Sequence, residues 1–419
     1  MKLFQQMLVA SAAIGLIAPI GAQANDINIE GMNSYSRSKS SSKKQQFNSK
    51  TFANELATVN EKIDGLETQF NDFEAGSFSD TTVLDGKAIF DVGSVDTDDD
   101  TYTGKTQFMY TYTMNLNTSF TGDDNLYTRI KTGNHSSWSK TKSVYNTYLS
   151  SGNGNGDTLK VDKLWYTTPV GENHTITFGP KIENYYMHAT TPSIYEPVLK
   201  AFTLGGNAAA YGASTSPGAG WAYSADNGFA VSSNVTTQKG NTSTGILTNE
   251  GKTSWATQVG YTKPTYSVSA LVNMKYNGWT DSYFMSTDGK ARAGDGNSTN
   301  IGLRGWWRPS NSDTAMPSVS VGFDTSETDA STNSNTTAYF VGLNWTDVIN
   351  ADDKIGIAFG QPQKAEGETI DPFLYEVYYK YSVNDSVTVT PTIFGGTSKN
   401  SSDVETDMTG YLVQTTFKF

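Results

Sequence analysis

The chain has 419 residues, of which 36% are hydrophobic, 17% charged and 12% aromatic, with a formal net charge of -12 and no cysteine. So many aromatic side chains exclude a disordered protein, the acidity excludes a general nucleic-acid binder, which needs clustered Lys and Arg, and the missing thiols exclude disulfides and thiolate metal sites. Beyond the N-terminal region no stretch approaches the ~20 consecutive apolar residues of a spanning helix, so a membrane form of this chain must be a barrel.

Residues 1–24 read as a secretory signal: Lys2 opens it, residues 7–20 are apolar, and Ala22-Gln23-Ala24 is an A-x-A cleavage site. Export without cysteine suits a bacterial envelope protein. Residues 25–50 are rich in Ser and Lys and lack any hydrophobic period, as a linker does. Its Arg37, Lys39, Lys43, Lys44 and Lys50 suit either contact with an anionic cell-wall polymer or plain solvation. Within 51–75, Phe52, Leu56, Val59, Ile63, Leu66, Phe70 and Phe73 alternate spacings of four and three, the a/d seam of a short coiled coil. Two readings stay open: a coiled coil, which implies oligomerisation, or a helix that packs this stripe on its own domain.

From residue 82 to 419 the period is two. Phe108, Tyr110, Tyr112, Met114 and Leu116 share one parity, while Gln107, Thr111, Thr113 and Asn115 share the other. The same split recurs in Tyr339/Val341/Leu343/Trp345 and Phe373/Tyr375/Val377/Tyr379, always with an uncharged apolar face. A soluble sandwich would bury that face in its core; an outer-membrane barrel turns it to lipid. The links favour the barrel, because short ones near residues 121–125, 169–174, 225–228, 263–265 and 382–386 alternate with long ones near 133–157, 182–220, 236–251, 277–297 and 397–407. Residues 309–318 are long for a short position. About sixteen strands of roughly ten residues fit this span. Tyr411, Val413, Phe417 and Phe419 close the chain on alternate positions with a terminal aromatic, the signal read by the barrel-assembly machinery.

Four runs carry a family likeness: Phe73-Glu74-Ala75-Gly76-Ser77-Phe78-Ser79, Leu84-Asp85-Gly86-Lys87-Ala88, Val161-Asp162-Lys163-Leu164-Trp165-Tyr166 and Ile176-Thr177-Phe178-Gly179-Pro180. In their order they resemble the cyanobacterial outer-membrane porins related to the carbohydrate-selective porin family. That resemblance implies a homotrimer of barrels in outer-membrane lipid and lipopolysaccharide, passing small hydrophilic solutes without a cofactor. Many members also carry a surface-layer-homology domain; here the Ser/Lys linker stands in its place.

Taking the polar parity as lumenal, the wall offers Lys87, Arg129, Lys131, Lys181, Lys275, Arg304, Arg308, Lys354, Lys380 and Lys418 against Asp85, Asp91, Asp324 and Glu376. Two readings stay open: an anion-preferring pore, or cations paired with acids on folded-in loops and little net selectivity. By analogy of fold, the segment after the fifth strand forms a constriction from Glu183, Tyr185, Tyr186, His188, Tyr195, Glu196 and Lys200. The acidic run at residues 96–100 suits either divalent cations bridging lipopolysaccharide or a soluble loop tip, and no metal-ligand spacing accompanies it. His135, His174 and His188 come without a nucleophile elbow or zinc motif, so no catalysis is expected. The expected protein is an all-β transmembrane antiparallel barrel serving as a porin. The alternative is a β-rich adhesin without a channel.

Overall fold

The computed structural model describes residues 81–419 apart from 207, 213–214, 280–285, 287–295, 311–315, 330–332 and 401. The signal segment, the linker and the heptad seam lie outside the described residues. Alternating sequence becomes sixteen strands: β1 (Thr82–Thr97), β2 (Gln107–Thr118), β3 (Asn125–Gly133), β4 (Lys160–Val170), β5 (His174–Ile182), β6 (Ser216–Ser224), β7 (Phe229–Thr237), β8 (Thr253–Lys263), β9 (Tyr266–Lys275), β10 (Ser298–Trp307), β11 (Ser318–Thr328), β12 (Asn335–Thr346), β13 (Lys354–Ala365), β14 (Phe373–Asn384), β15 (Val387–Lys399) and β16 (Glu405–Lys418). Each strand pairs with its sequence neighbours, and the sheet closes on itself. The seam runs antiparallel from Lys87 opposite Lys418 to Thr97 opposite Met408. Closure leaves no unpaired edge, the condition for a sheet in lipid.

Residues 85–116 and 125–419 form one compact unit. Residues 81–84 and 117–124 belong to a second, in which Asp124 Oδ1 accepts from the backbone N–H of Phe120 at 2.9 Å and of Thr121 at 2.8 Å, closing a turn.

The apolar parity faces outward. Phe90, Phe178, Val259, Leu303, Phe323, Tyr411, Val413, Phe417 and Phe419 are all exposed on the barrel. Phe417 packs edge-on against Phe90, and Phe419 stacks on Tyr112 at 5.7 Å, tying the last strand across the closure. Length alternation of the links holds for the first ten strands. Beyond them the links 329–334, 366–372 and 400–404 are short, and the last is shorter than the sequence implied because Lys399 still pairs with Glu405.

The polar parity is not uniformly polar. Phe340, Leu374, Phe394, Met408 and Leu412 point inward and are buried together with Trp138, Leu149, Tyr195, Leu199 and Phe202 from two inserted loops. The barrel therefore contains an apolar core of its own.

Candidate functional site

A chain segment inside a barrel must satisfy its own backbone groups. The segment 183–215 between β5 and β6 does so with uncharged side chains taken from one strand after another. Ala189 N–H donates to Ser232 Oγ on β7 at 3.1 Å, Thr190 N–H to Gln258 Oε1 on β8 at 3.0 Å, and Ile194 N–H to Ser320 Oγ on β11 at 3.1 Å. Trp306 Nε1 on β10 donates to Thr191 O at 3.0 Å. The segment then meets a carboxylate: Glu376 on β14, fully buried, accepts from Tyr195 Oη at 2.9 Å, Val198 N at 3.1 Å and Leu199 N at 2.6 Å.

A turn at Lys200–Gly205 sends the segment back. Gly205 and Gly206 have φ of 73° and 89°, and a Cβ on Gly205 would lie 2.6 Å from Arg304 Cδ, so both the backbone and the space require glycine. Arg304 on β10 holds this turn by donating to Leu204 O at 2.7 Å and Gly206 O at 2.9 Å. It pairs with Asp324 at 2.8 Å and lies over the Tyr211 ring.

A second loop, 134–159 between β3 and β4, also enters the barrel. Asp91 on β1 anchors it, accepting from Ser151 Oγ at 2.8 Å and lying 2.9 Å from His135 Nε2, while Gln414 Nε2 donates to its other oxygen at 2.9 Å. The two loops pair with each other. Ser150 N–H donates to Val198 O and Lys200 N–H to Tyr148 O, each at 2.7 Å, forming a short ribbon around Leu149 and Leu199.

The β5–β6 segment packs mainly on β7 to β14, and open space remains on the side of β1 to β4 and β14 to β16. It holds two chambers that share Ser150. The one toward the long loops has a volume of ≈ 470 Å³ and is lined by Arg129, Lys131, Lys142, Lys163 and Lys200 with only Asp162 and Glu183 as acids. The one toward the chain ends, ≈ 290 Å³, is lined by Lys87, Lys380 and Lys418 with Glu196 as its acid.

Each acid is already engaged. Asp162 accepts from Arg129 Nε at 2.6 Å; Glu183 pairs with Lys163 at 2.8 Å and accepts from the Tyr185 hydroxyl; Glu196 pairs with Lys354 and, at 2.9 Å, with Lys380. Burial opposes ionisation of Glu183 and Glu196, but the neighbouring lysines outweigh it and hold both below the usual carboxylate range. Burial, reinforced by Glu183, raises the Tyr185 phenol well above its ordinary value. The rings of Tyr127, Trp165, Tyr186 and Tyr185 pack in series with centroid separations of 4.3, 4.6 and 4.6 Å, and the last two of them line the larger chamber.

Of the residues singled out from sequence, Lys87, Arg129, Lys131, Lys380, Glu183, Tyr185, Tyr186, Glu196 and Lys200 border the chambers. Others do not. Arg304, Glu376 and Tyr195 are buried where loop meets wall, and Lys275 is buried on the inner face of β9. His188 points to the wall, its Nδ1 3.3 Å from Asn234 Nδ2, and burial lowers its pKa to about 3. Arg308 is exposed beyond the end of β10, donating to Pro264 O at 2.6 Å.

Lys181 breaks the parity. A register shift between Gly179 and Ile182 turns Ile182 inward and leaves Lys181 exposed, donating to Val161 O at 2.7 Å. A second shift, in the β3–β4 pairing between Arg129 and Ile130, accompanies the inward placement of Lys163, which parity alone did not reveal. Lys142 and Tyr148 were missed because nothing marked the β3–β4 loop as inward-folding.

Residues 38–397 match the carbohydrate-selective porin, OprB family. An uncharacterized protein of Nostoc sp. is 24% identical over 416 residues, covering 88% of this chain and 70% of the relative. Another, of Synechocystis sp., is 32% identical over 131 residues, covering 30% of this chain and 24% of the relative. Among solved structures, Pseudomonas putida OprB superposes with a TM-score of 0.55 at 13% identity, over 81% of this chain and 94% of that one. A porin of Rh. blastica gives 0.50 at 12% identity, over 81% and 100%. At such identities the structural likeness speaks for the fold.

Proposed function

The chain belongs to the carbohydrate-selective porin family and is an outer-membrane porin for small solutes, and from that premise we propose that solutes pass by diffusion through the two chambers with a preference for anions. The observation that carries this reading is the charge count at the open side of the barrel. Eight basic side chains border the chambers against three carboxylates, and all three carboxylates are already in ion pairs. Rings of Lys and Arg lower the entry barrier for anions and raise it for cations. Small sugars fit the same path.

The remaining parts of the proposal concern delivery and assembly. Residues 1–24 direct export and are removed, the seam in 51–75 helps hold three copies together, and the outward Tyr411, Val413, Phe417 and Phe419 serve as the signal for barrel assembly. The basic linker reaches an anionic wall polymer, and lipopolysaccharide surrounds the loop end. No catalytic role is assigned.

The test is single-channel recording in a planar bilayer with unequal potassium chloride on the two sides. Conductance steps in groups of three, with a reversal potential set by chloride, are the expected result. A potential set by potassium would overturn the anion preference.

A further inference from the structure

We propose that Ser150 forms the neck of the pore and so sets the largest solute that can cross; the inference rests on the porin reading above and adds to it a residue that selects by size. Two spaces that merged over a broad front would share many lining residues. Among the described residues that border the two chambers, the one common to both is Ser150. Spaces of ≈ 470 and ≈ 290 Å³ therefore approach each other at one small side chain. On the wall side the smaller is bordered by Lys87 and Ile89 of β1 and the larger by Arg129 and Lys131 of β3, so the crossing runs along the inner face of β1 to β3.

The ribbon between the inserted loops explains why the neck falls at this position. In extended chain, successive side chains point to opposite sides. Leu149 is buried in the apolar core, so Tyr148 and Ser150 turn to the open side. Tyr148 borders the larger chamber alone, and Ser151, bonded to Asp91 of β1 at 2.8 Å, borders the smaller alone; Ser150 stands between them. Its place is fixed twice over, since its N–H donates to Val198 O at 2.7 Å and its hydroxyl to Pro197 O at 2.9 Å. A side chain anchored in this way gives a neck of fixed width. With its one proton donated to Pro197, the hydroxyl offers a passing molecule an acceptor and no donor. Pore diameter and the groups lining it govern which solutes pass, so a larger group at residue 150 narrows the pore for every solute and excludes the largest first.

The chain has no cysteine, so Ser150→Cys in the full-length protein carries a unique thiol at the neck. The folded variant is reconstituted in a planar bilayer, and methanethiosulfonate reagents bearing a methyl or a benzyl group are added to either side. The thiolate attacks the reagent's sulfenyl sulfur, a mixed disulfide forms, methanesulfinate leaves, and dithiothreitol reverses the step. Reaction from both sides is expected, with a loss of single-channel current that is greater for benzyl than for methyl and is recovered with dithiothreitol. Modification follows folding, so a folding defect cannot imitate the loss. In liposome swelling, the benzyl-modified protein is expected to lose uptake of maltotriose before that of glucose. Thr416→Cys, which borders the smaller chamber alone, serves as control and should lose much less current. An unchanged current after modification verified by mass spectrometry, a thiol that the reagents reach from neither side, or an equal loss at Thr416 would overturn the proposal while the porin reading stands. Absence of any conductance from folded, heat-modifiable, unmodified protein would overturn the porin reading instead.

Discussion

The two sides of the lumen are built on opposite terms. From β7 to β14 the wall presents Ser232, Gln258, Ser320 and apolar groups such as Phe340, and a loop covers them. From β1 to β4 and β14 to β16 it presents Lys87, Arg129, Lys131, Lys380 and Lys418, and water reaches them. Two polar wall groups on the covered side, Arg304 and Glu376, are each tied to the loop by several hydrogen bonds. A buried charge is tolerated only when paired and hydrogen-bonded. What the contrast teaches is that lumenal parity alone does not make a residue pore-lining; the loop decides which polar positions see solute.

The sharpest way to break the contrast is Arg304→Leu, which strands Asp324 in the interior and frees the turn at residues 204–206. A loss of about 3–5 kcal/mol is expected, read as a lower urea midpoint together with larger, noisier conductance. Glu376→Gln should act next, at about 1–3 kcal/mol, since one of the two oxygens that accept three bonds becomes a donor and leaves a buried loop donor unpaired. Its signature is a conductance rise with the reversal potential little changed, because this carboxylate does not face the chambers.

His188 tests whether the covered side is dry. Its imidazole stays neutral down to about pH 3 because it is buried, whereas the unfolded chain protonates it near 6.5. Stability is thus fully present above pH 6.5 and falls by up to about 1.4 kcal/mol per unit as the pH drops from there to about 3. His188→Gln should flatten that part of the stability profile; an unchanged slope would show that the ring is hydrated after all. On the wet side, Lys131→Gln should lower the chloride-to-potassium permeability ratio about fivefold. Lys181→Gln should leave that ratio unchanged, which distinguishes a residue on the outer face from its lumenal neighbours.

The barrel was legible because lipid enforces strict alternation: Phe90 and Val92, or Tyr411 and Val413, have to point outward, and nothing inside can compensate if they do not. Legibility failed at the bulges. One irregular step near Gly179 moved Lys181 out and Ile182 in, and periodicity carries no mark of such a step. The loop at 183–215 was recognisable by position and length, but its partition into chamber residues and anchors was not, since Tyr186 and Tyr195 are alike in sequence and opposite in environment. A usable hint did exist for the internal core. Phe340, Leu374, Phe394 and Leu412 are apolar residues on the wet parity, and something in the lumen had to cover them.

The ribbon between Tyr148–Ser150 and Val198–Lys200 also bears on how such a protein can change over generations. Two loops that share a backbone pairing inside a fixed cylinder cannot gain or lose residues independently, since an insertion in one would slide its partner out of register. The β7–β8 loop is under no such tether at its tip, where Ile246 and Leu247 stand exposed. Variation in length, and any foreign epitope grafted for surface display, therefore belongs near residue 246, while the span from 134 to 153 is held to its present length by the loop it grips.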